Sequence, residues 1–413
     1  MAGGEDLNAL PAAQGDAAHR RKRIGLIETG GEWIGGVLYL QNAIRALDLL
    51  PEEQRPEMHL LAGWRSRGGL DGEVRIKDRH AFGYRRAMPF RRRLGAIGLT
   101  LARRRWPLSL ERVAGGLHAD VVWPTQVALG TAFPVPWAAW IPDFQHKRLP
   151  EMFDAATRRG RDRQYGRIAR DAPQVVVSSQ AAHRDLMRWF PVAEPDRVSV
   201  LPFVSMPGPD WFAHAPGKAA AAFQLPEKYL IFPAQFWAHK NHALLFEAIR
   251  LLRDGGLADI CLVCTGFTGD VRNPDHFARL TAWLQRHGLD GNVRILGLLP
   301  RTQQIQLVRA AAAVVQPSLF EGWSMLVEDA RTLGKRIYVS DLAVHREQQP
   351  ADAVFFPRHE PEALAELIAA DWPDLRPGPD MQREKAARES QAGRGLSFAR
   401  DILTVLERAE RRA

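Results

Sequence analysis

The sequence contains two series of short apolar or β-branched runs, each run separated from the next by a segment long enough for a helix. The first series is 23–28, 58–62, 119–123, 137–141, 174–178 and 197–201. The second series is 229–233, 260–265, 293–297, 313–316, 336–340 and 353–356. Such alternation predicts parallel sheets covered by helices on both faces. The expected fold class is α/β, with two doubly wound Rossmann-like domains.

The alternation is interrupted once, over residues 202–226, where Met206-Pro207-Gly208-Pro209 predicts a linker. We therefore expect a disordered tail over residues 1–20, a first domain over 21–205 and a second domain over 206–388. Residues 389–413 have apolar positions at helical spacing, which predicts a helix that packs back across the domains. Ligands of doubly wound sheets bind beyond the carboxyl ends of the strands. The expected active site is a central cleft between the two domains.

Cysteine usage and hydropathy exclude several classes of protein. Two cysteines among 413 residues exclude a disulfide-rich scaffold. Cys261 and Cys264 lie in an apolar run, so we expect them to be buried and expect no metal site. Residues 94–102 are too short a run to span a membrane, and residues 1–20 lack the apolar core of a signal peptide. A cytoplasmic protein is expected.

Positive charge is concentrated in the first half of the chain. Residues 1–200 contain 31 Lys and Arg against 22 Asp and Glu, which accounts for the whole net charge of +9. Eight arginines within residues 85–106 flank the apolar run 94–102. This pattern predicts peripheral contact with an anionic membrane, and a solvated arginine-rich helical face explains it equally well. No nucleic-acid partner is expected, because no known binding module accompanies the arginines.

A glycine-rich turn over residues 30–36 follows the first predicted strand and opens a helix. It lacks the GxGxxG spacing and the later acid of a dinucleotide site. Its amides could face an anion at the helix start, and a tight turn that allows close packing is the other interpretation. Gly35 and Gly36 are expected to line the cleft.

The most informative stretch follows the predicted strand 313–316 and reads Pro-Ser-Leu-Phe-Glu-Gly-Trp-Ser-Met-Leu-Val-Glu-Asp-Ala over residues 317–330. Gly322 and Ser324 prepare a helix whose free amides and positive dipole end face the cleft. The stretch resembles the donor-site signature of glycosyltransferase family 4, the retaining GT-B enzymes also described as glycosyl transferases group 1. The resemblance covers roughly residues 23–371 and implies the GT-B fold.

The resemblance assigns roles within this stretch. Glu321 matches the first acid of the signature, which contacts the donor sugar. Asp329, eight residues later, stands where the family has a second Glu that holds the nucleotide ribose. Glu328 lies immediately before it. The remaining donor-binding positions that the resemblance implies are Gly322, Trp323, Ser324 and Met325, around the helix start that binds the diphosphate.

A second match follows the strand 229–233. The family usually has a Gly-Arg there and a Lys a few residues later, two cations for the diphosphate. Lys240 matches the lysine, whereas Gln235 stands where the arginine is usual. Gly266, within the segment Thr-Gly-Phe-Thr-Gly-Asp over 265–270, belongs to further residues that resemble a bacterial subgroup and is expected at the donor site.

In the first domain, residues 140–146 align with the family's His-Asp element, which approaches the donor sugar from the acceptor side. Pro142 replaces the histidine and Asp143 is retained. His146 could substitute for the lost imidazole or only cap the loop. Ser179, after another predicted strand, is expected to line the cleft.

These residues imply a retaining, metal-independent transferase that moves a sugar from a nucleotide diphosphate donor. No cofactor is needed, and the acceptor is a glycan or a polyprenyl-diphosphate-linked molecule of bacterial surface polysaccharide, with mannose one candidate sugar. Localisation is cytoplasmic, peripheral on the inner membrane face if residues 85–106 bind there. A catalytically silent relative acting as a binding subunit of a glycan-assembly complex, and a nucleotide-sugar epimerase, are the alternatives.

Overall fold

The computed structural model describes residues 20–28, 34–63, 74–82, 109–213, 215–350 and 352–413. The strands within these ranges are β1 Arg23–Ile27, β2 Glu57–Gly63, β3 Asp78–Phe82, β4 Val121–Thr125, β5 Trp137–Ile141, β6 Gln174–Val177, β7 Val198–Val200, β8 Leu230–Pro233, β9 Leu262–Thr265, β10 Val293–Ile295, β11 Ala313–Gln316, β12 Ile337–Ser340 and β13 Ala353–Phe356. Strands β1–β7 form one sheet in the order β3-β2-β1-β4-β5-β6-β7. Strands β8–β13 form a second in the order β10-β9-β8-β11-β12-β13. The predicted pair of doubly wound sheets is confirmed.

Helices lie between the strands of both sheets. In the described ranges the α-helices are Ile34–Leu47, Leu110–Gly116, Gln145–Arg148, Ala155–Asp171, Gln180–Trp189, Gly217–Ala222, His242–Asp254, His276–Arg286, Arg301–Ala310, Met325–Thr332, Ala343–Gln348, Pro361–Asp371 and Met381–Arg411. All neighbouring strands pair in parallel, for example Arg23 of β1 with Glu57 of β2 and Leu230 of β8 with Leu262 of β9. The carboxyl ends of the strands therefore share one edge of each sheet.

Strand β3 was not predicted, because its sequence Asp-Arg-His-Ala-Phe contains no apolar run. The strand lies at the edge of the first sheet, and only Phe82 within it is buried. A polar, exposed edge strand is one way in which proteins avoid pairing with other chains. Three predicted features lie outside the described residues: the tail over 1–19, residues 29–33 of the glycine-rich turn and the arginine-rich segment 85–106.

A single long helix, Met381–Arg411, contacts the first sheet and also helices of the second domain. Its first turns belong to the second half of the chain, where the carboxylate of Glu384 accepts from Nε of Arg309 at 2.7 Å with both residues buried. Its later residues Phe398, Ile402 and Leu406 are buried in the core of the first domain. The helix therefore fixes how the two sheets sit relative to each other.

Two expectations from composition concern cysteines and membrane spans. Cys261 and Cys264 are both free and buried, as predicted, and burial raises the pKa of Cys261 to about 11. No helix in the described ranges is both long enough and apolar enough to cross a bilayer.

Candidate active site

Lys240 and Glu321 meet at the carboxyl edge of the second sheet. Lys240 lies in a short helical turn after β8, and Glu321 lies in the loop after β11, the strand that pairs with β8. The Lys240 ammonium donates to Oε1 of Glu321 at 2.6 Å, and their side chains are 18% and 10% exposed. The two residues that sequence analysis placed at the donor site therefore form one partly buried ion pair.

The Glu321 carboxylate is held by two further donors. Gln316, at the end of β11, donates through Nε2 at 3.0 Å, and the Ser318 hydroxyl donates at 2.7 Å. Gln316 Nε2 also donates to Oγ of Ser324 at 3.0 Å, which ties the acid to the start of the next helix. Sequence analysis missed Gln316 and Ser318, although polar residues at the end of a buried strand can indicate a binding site.

Hydrogen bonds of the residues on either side of Lys240 connect its turn to the loop that contains Glu321. The His239 carbonyl accepts from the Leu319 amide at 2.8 Å, and the Asn241 side chain donates to the Pro317 carbonyl at 3.1 Å. Asn241 adopts a left-handed conformation with φ of 62°, which asparagine tolerates better than most residues. Burial, and then the charges of Lys240 and Arg272, hold the pKa of His239 well below its usual value, so its ring is neutral.

Gly266 allows the loops after β8 and β9 to approach each other. Its φ is +143°, and a Cβ at this position would lie 2.2 Å from the carbonyl oxygen of Ala234. The backbone of Gln235 therefore lies beside Gly266. Gln235 supplies an amide where the family usually has an arginine.

The helix Met325–Thr332 begins beside this ion pair. Ser324 is its N-cap, and its hydroxyl accepts from the Val327 amide at 3.4 Å. The Trp323 indole donates to the Phe203 carbonyl at 2.9 Å, and Asn42 Nδ2 contacts Sδ of Met325 at 3.4 Å. Both side chains therefore contact the first domain.

Asp329 and Glu328 are buried and engaged in ion pairs. Oδ1 of Asp329 accepts from Oγ of Ser205 and from Nη2 of Arg301, both at 2.5 Å, and the residue is 2% exposed. Glu328 is paired with Arg394 of the long terminal helix. Sequence analysis expected both acids among the donor-binding residues. The structure gives them partners inside the protein, which sequence spacing did not indicate.

The two domains touch at the glycine of the signature. A Cβ at Gly322 would lie 2.1 Å from the carbonyl oxygen of Pro142 and 3.0 Å from Cβ of Asp143. Ser179 donates its hydroxyl to the Gly322 carbonyl at 2.9 Å. Nearby, Oε1 of Glu347 accepts from the Gln180 amide at 2.6 Å. The acceptor-side element and the donor-side loop are therefore in direct contact, with Ser179 buried between them.

Asp143 and His146 have different surroundings. Asp143 accepts from the Gln145 amide at 2.9 Å and pairs with Arg161 at 3.3 Å, with its side chain 24% exposed. His146 is 1% exposed, and its Nε2 lies 3.1 Å from Oδ1 of Asp162. Burial, and then the charge of Arg161, lower the pKa of His146. Asp143 thus faces Gly322, whereas the contacts of His146 favour a role in holding its loop.

Arg272, after β9, was not singled out from the sequence and bridges the two domains. Its guanidinium lies 5.1 Å from the ring centre of Trp237 and 5.3 Å from that of Phe153. It pairs with Asp270 at 3.1 Å and donates to Oε1 of Gln145, in the first domain, at 3.3 Å. A cation therefore stands between two aromatic rings near the mouth of the site.

Gly35 and Gly36 lie in the first turn of the helix Ile34–Leu47, at the carboxyl end of β1. Gly36 is buried and Gly35 is half-buried. Neither has a side chain that could contact a ligand, so any contribution to the cleft comes from the backbone.

Comparison with known proteins identifies a family match for part of the chain. Residues 218–374 match the sequence model of the family described as Glycosyl transferases group 1. The D-inositol 3-phosphate glycosyltransferase of Corynebacterium glutamicum (strain R) is 25% identical over 229 residues, which are 51% of this chain and 52% of that protein. The chain thus spans about half the length of the curated relatives it matches. The predicted resemblance is confirmed.

Solved structures with the same fold cover nearly the whole chain. Anabaena Alr3699/HepE in complex with UDP and glucose superposes with a TM-score of 0.65 at 16% identity, over 94% of this chain and 100% of that one. WaaG, a glycosyltransferase involved in lipopolysaccharide biosynthesis, gives 0.58 at 12% identity over 94% and 98%. The GT-B fold class is therefore confirmed.

Proposed function

We propose that this chain, whose residues 218–374 belong to the glycosyl transferases group 1 family, transfers a sugar from a nucleotide diphosphate donor to an acceptor with retention of configuration. The observation that carries the proposal is the Lys240–Glu321 ion pair at the start of the helix Met325–Thr332. A fixed cation beside helix-start amides suits a diphosphate, because both favour negative charge.

The chemistry required of the protein is stabilisation of the leaving diphosphate. Lys240 and the amides at the helix start bind the phosphates, and Glu321, held by Gln316 and Ser318, contacts the donor sugar. The acceptor hydroxyl attacks the anomeric carbon from the face that the diphosphate leaves, and a phosphate oxygen takes its proton. No resident metal or cofactor has a step in this scheme. In this proposal Arg272, which is also paired with Asp270, supplies the positive charge that Gln235 does not.

The acceptor is proposed to approach from the first domain, past Asp143. Three and four residues after it, His146 and Lys147 line a cavity of about 300 Å³ together with Arg158, Arg159 and the acid Asp162. Several cations around one cavity favour a phosphate-bearing acceptor. This fits an inositol phosphate, as in the name of the corynebacterial relative, or a polyprenyl-diphosphate-linked glycan of a surface polysaccharide. WaaG, which has the same fold, is described as involved in lipopolysaccharide biosynthesis.

The decisive experiment incubates the purified chain with a panel of nucleotide sugars and measures released nucleoside diphosphate. UDP-glucose and GDP-mannose are included, each with and without extracts of bacterial surface glycan precursors. Release that depends on one donor and requires Lys240 supports the proposal. Retention is read separately, from the anomeric configuration of the product.

A binding subunit without catalysis is the second candidate, favoured by one observation. Asp329, expected at the ribose, is 2% exposed and already paired with Arg301 and Ser205. Nucleotide binding without turnover of any donor, in the presence of every acceptor tested, would select this candidate.

A further inference from the structure

Strands β2 and β3 each carry an acid followed two residues later by a histidine. On β2 these are Glu57 and His59, and on β3 they are Asp78 and His80. Residues two apart on a strand point to the same face, and His59 stands opposite Asp78 in the parallel register. The pattern therefore gathers two imidazoles and two carboxylates on one face of the sheet edge.

Ligand atoms of three of these residues converge. One atom each of His59, Asp78 and His80 lie within 4.8 Å of one another. His59 Nδ1 is 3.9 Å from Oδ2 of Asp78, and the two imidazole ring centres are 5.7 Å apart. A tetrahedral ion with bonds of 2.0–2.1 Å needs its ligand atoms about 3.4 Å apart. Side-chain adjustments of an ångström or so would bring the three groups to that spacing.

Of the three residues, His59 has the environment most typical of a metal ligand. Its side chain is 6% exposed, and neither ring nitrogen has a hydrogen-bond partner among the described residues. Nε2 of His80 is likewise buried without one. Buried polar atoms are normally satisfied, so unpartnered nitrogens on two imidazoles next to a carboxylate point to a cation site.

We propose that His59, Asp78 and His80 bind a divalent transition-metal ion of the Zn²⁺ class. Two imidazoles with a carboxylate suit Zn²⁺ rather than Mg²⁺ or Ca²⁺, which prefer oxygen ligands. Asp78 is 58% exposed, so an ion can enter from solvent, and water can fill the fourth position. Oε2 of Glu57 lies 3.9 Å from Nε2 of His59, but this carboxylate is paired with Lys77 and Arg23, so it is not counted as a ligand.

The ion would act on the first domain rather than on the transfer reaction. In the order β3-β2-β1-β4-β5, the strand that leads to Asp143 is four strands from β3, roughly 19 Å across the sheet. A metal ion bound between β2 and β3 would stabilise β3, the polar edge strand. This strand has little apolar area to bury, so its packing alone contributes little. Sequence analysis predicted no metal site, because the four residues are adjacent only after the strands pair.

The test uses the full chain without a polyhistidine tag, stripped with a chelator and titrated with Zn²⁺ by calorimetry. We expect one ion per chain and a higher melting temperature with Zn²⁺ than without. Co²⁺ in place of Zn²⁺ should give the visible absorption of a tetrahedral or five-coordinate nitrogen and oxygen site. Asp78→Ala and His80→Ala should each weaken Zn²⁺ binding at least tenfold, and so should His59→Ala.

His183→Ala, which removes a histidine from a helix in the same domain, is the control and should bind Zn²⁺ like the original chain. If His59→Ala does not fold, Zn²⁺ binding by the Asp78→Ala variant tests the proposal, because the Asp78 side chain is exposed and is not part of the core. Absence of Zn²⁺ binding, or unchanged affinity in Asp78→Ala and His80→Ala, would overturn the proposal.

Discussion

Gly322 and Pro142 approach so closely that a Cβ on residue 322 would lie 2.1 Å from the Pro142 carbonyl oxygen. The contact joins the donor loop of one domain to the acceptor-side loop of the other. Because both partners are backbone, neither can rotate away as a flexible side chain could. This glycine therefore sets the separation of the two halves at the point where a sugar would pass between them.

Gly322→Ala should push the two domains apart at this point. Overpacking of a tight contact costs about 1–3 kcal/mol, so we expect a lower melting temperature and at least a tenfold loss of transfer. The control is Gly160→Ala, where a Cβ meets nothing within 4 Å. Equal activity of the two variants would show that the contact does not set the active geometry.

Lys240→Ala should lower turnover by roughly a hundredfold, the scale of removing one electrostatic partner of a transition state. Glu321→Gln should be comparably damaging, because it leaves the Lys240 ammonium without a charged partner. The two side chains are only 18% and 10% exposed, so a moderate fall in melting temperature should accompany the loss of turnover. Lys385→Ala, in an exposed ion pair with Glu389, is the matched control. Unimpaired turnover of folded Lys240→Ala would reject the donor assignment.

Asp329→Asn should destabilise the protein more than it weakens donor binding. The change removes the charge that Arg301 and Ser205 share, and breaking a buried pair costs about 3–5 kcal/mol. Chemical denaturation and nucleotide titration of the same variant separate the two effects. A large loss of nucleotide affinity at unchanged stability would instead indicate that Asp329 holds the ribose.

Acid should destabilise the chain through its buried neutral histidines. Burial is the main cause that lowers the pKa of His239, His242 and His345. Unfolded histidine has a pKa of about 6.5, so below that pH the unfolded chain binds more protons than the folded one. The free energy of unfolding then falls as pH falls, by up to about 1.4 kcal/mol per histidine and pH unit. Melting temperatures between about pH 7.5 and 5.5 should show this decline.

His242 offers a way to separate this contribution from that of the carboxylates. Its ring is fully buried, stacks on Phe236 at 4.1 Å, and has no hydrogen-bond partner among the described residues. His242→Leu should therefore fold and show a shallower decline in acid. An unchanged pH dependence in this variant would mean that the imidazole is not neutral in the folded protein.

For residues 85–106, which lie outside the described ranges, the prediction comes from the sequence alone. If they hold the protein at an anionic membrane, each arginine contributes on the order of 1 kcal/mol, and salt weakens the attraction. Liposome sedimentation should show binding to anionic but not neutral vesicles, lost on changing Arg91, Arg92 and Arg93 to Glu. Nucleotide binding should be unaffected. Equal sedimentation with both vesicle types would remove the membrane proposal and leave the transferase proposal intact.

The sequence predicted what depends on local pattern and missed what depends on pairing between distant segments. Apolar runs identified every strand except β3, whose residues are mostly polar. Lys240 and Glu321 were recognisable because the segments that contain them resemble the donor-site signature of a known family. The Ser205–Asp329 and Glu347–Gln180 contacts were not, because they exist only once the domains dock. Nothing in the sequence around Arg272 indicated a role beyond its charge, because the rings of Phe153 and Trp237 that surround it come from separate loops.

The long helix Met381–Arg411 also constrains how the protein can be made. Phe398, Ile402 and Leu406 fill the core that contains Ile24 of β1 and Leu40 of the first helix, yet the ribosome adds them only after the entire second sheet. Until then the nascent first domain exposes an apolar face that nothing covers. Such contacts between the beginning and the end of synthesis slow folding and leave intermediates prone to aggregation. We expect growing chains of this protein to depend on chaperones during translation.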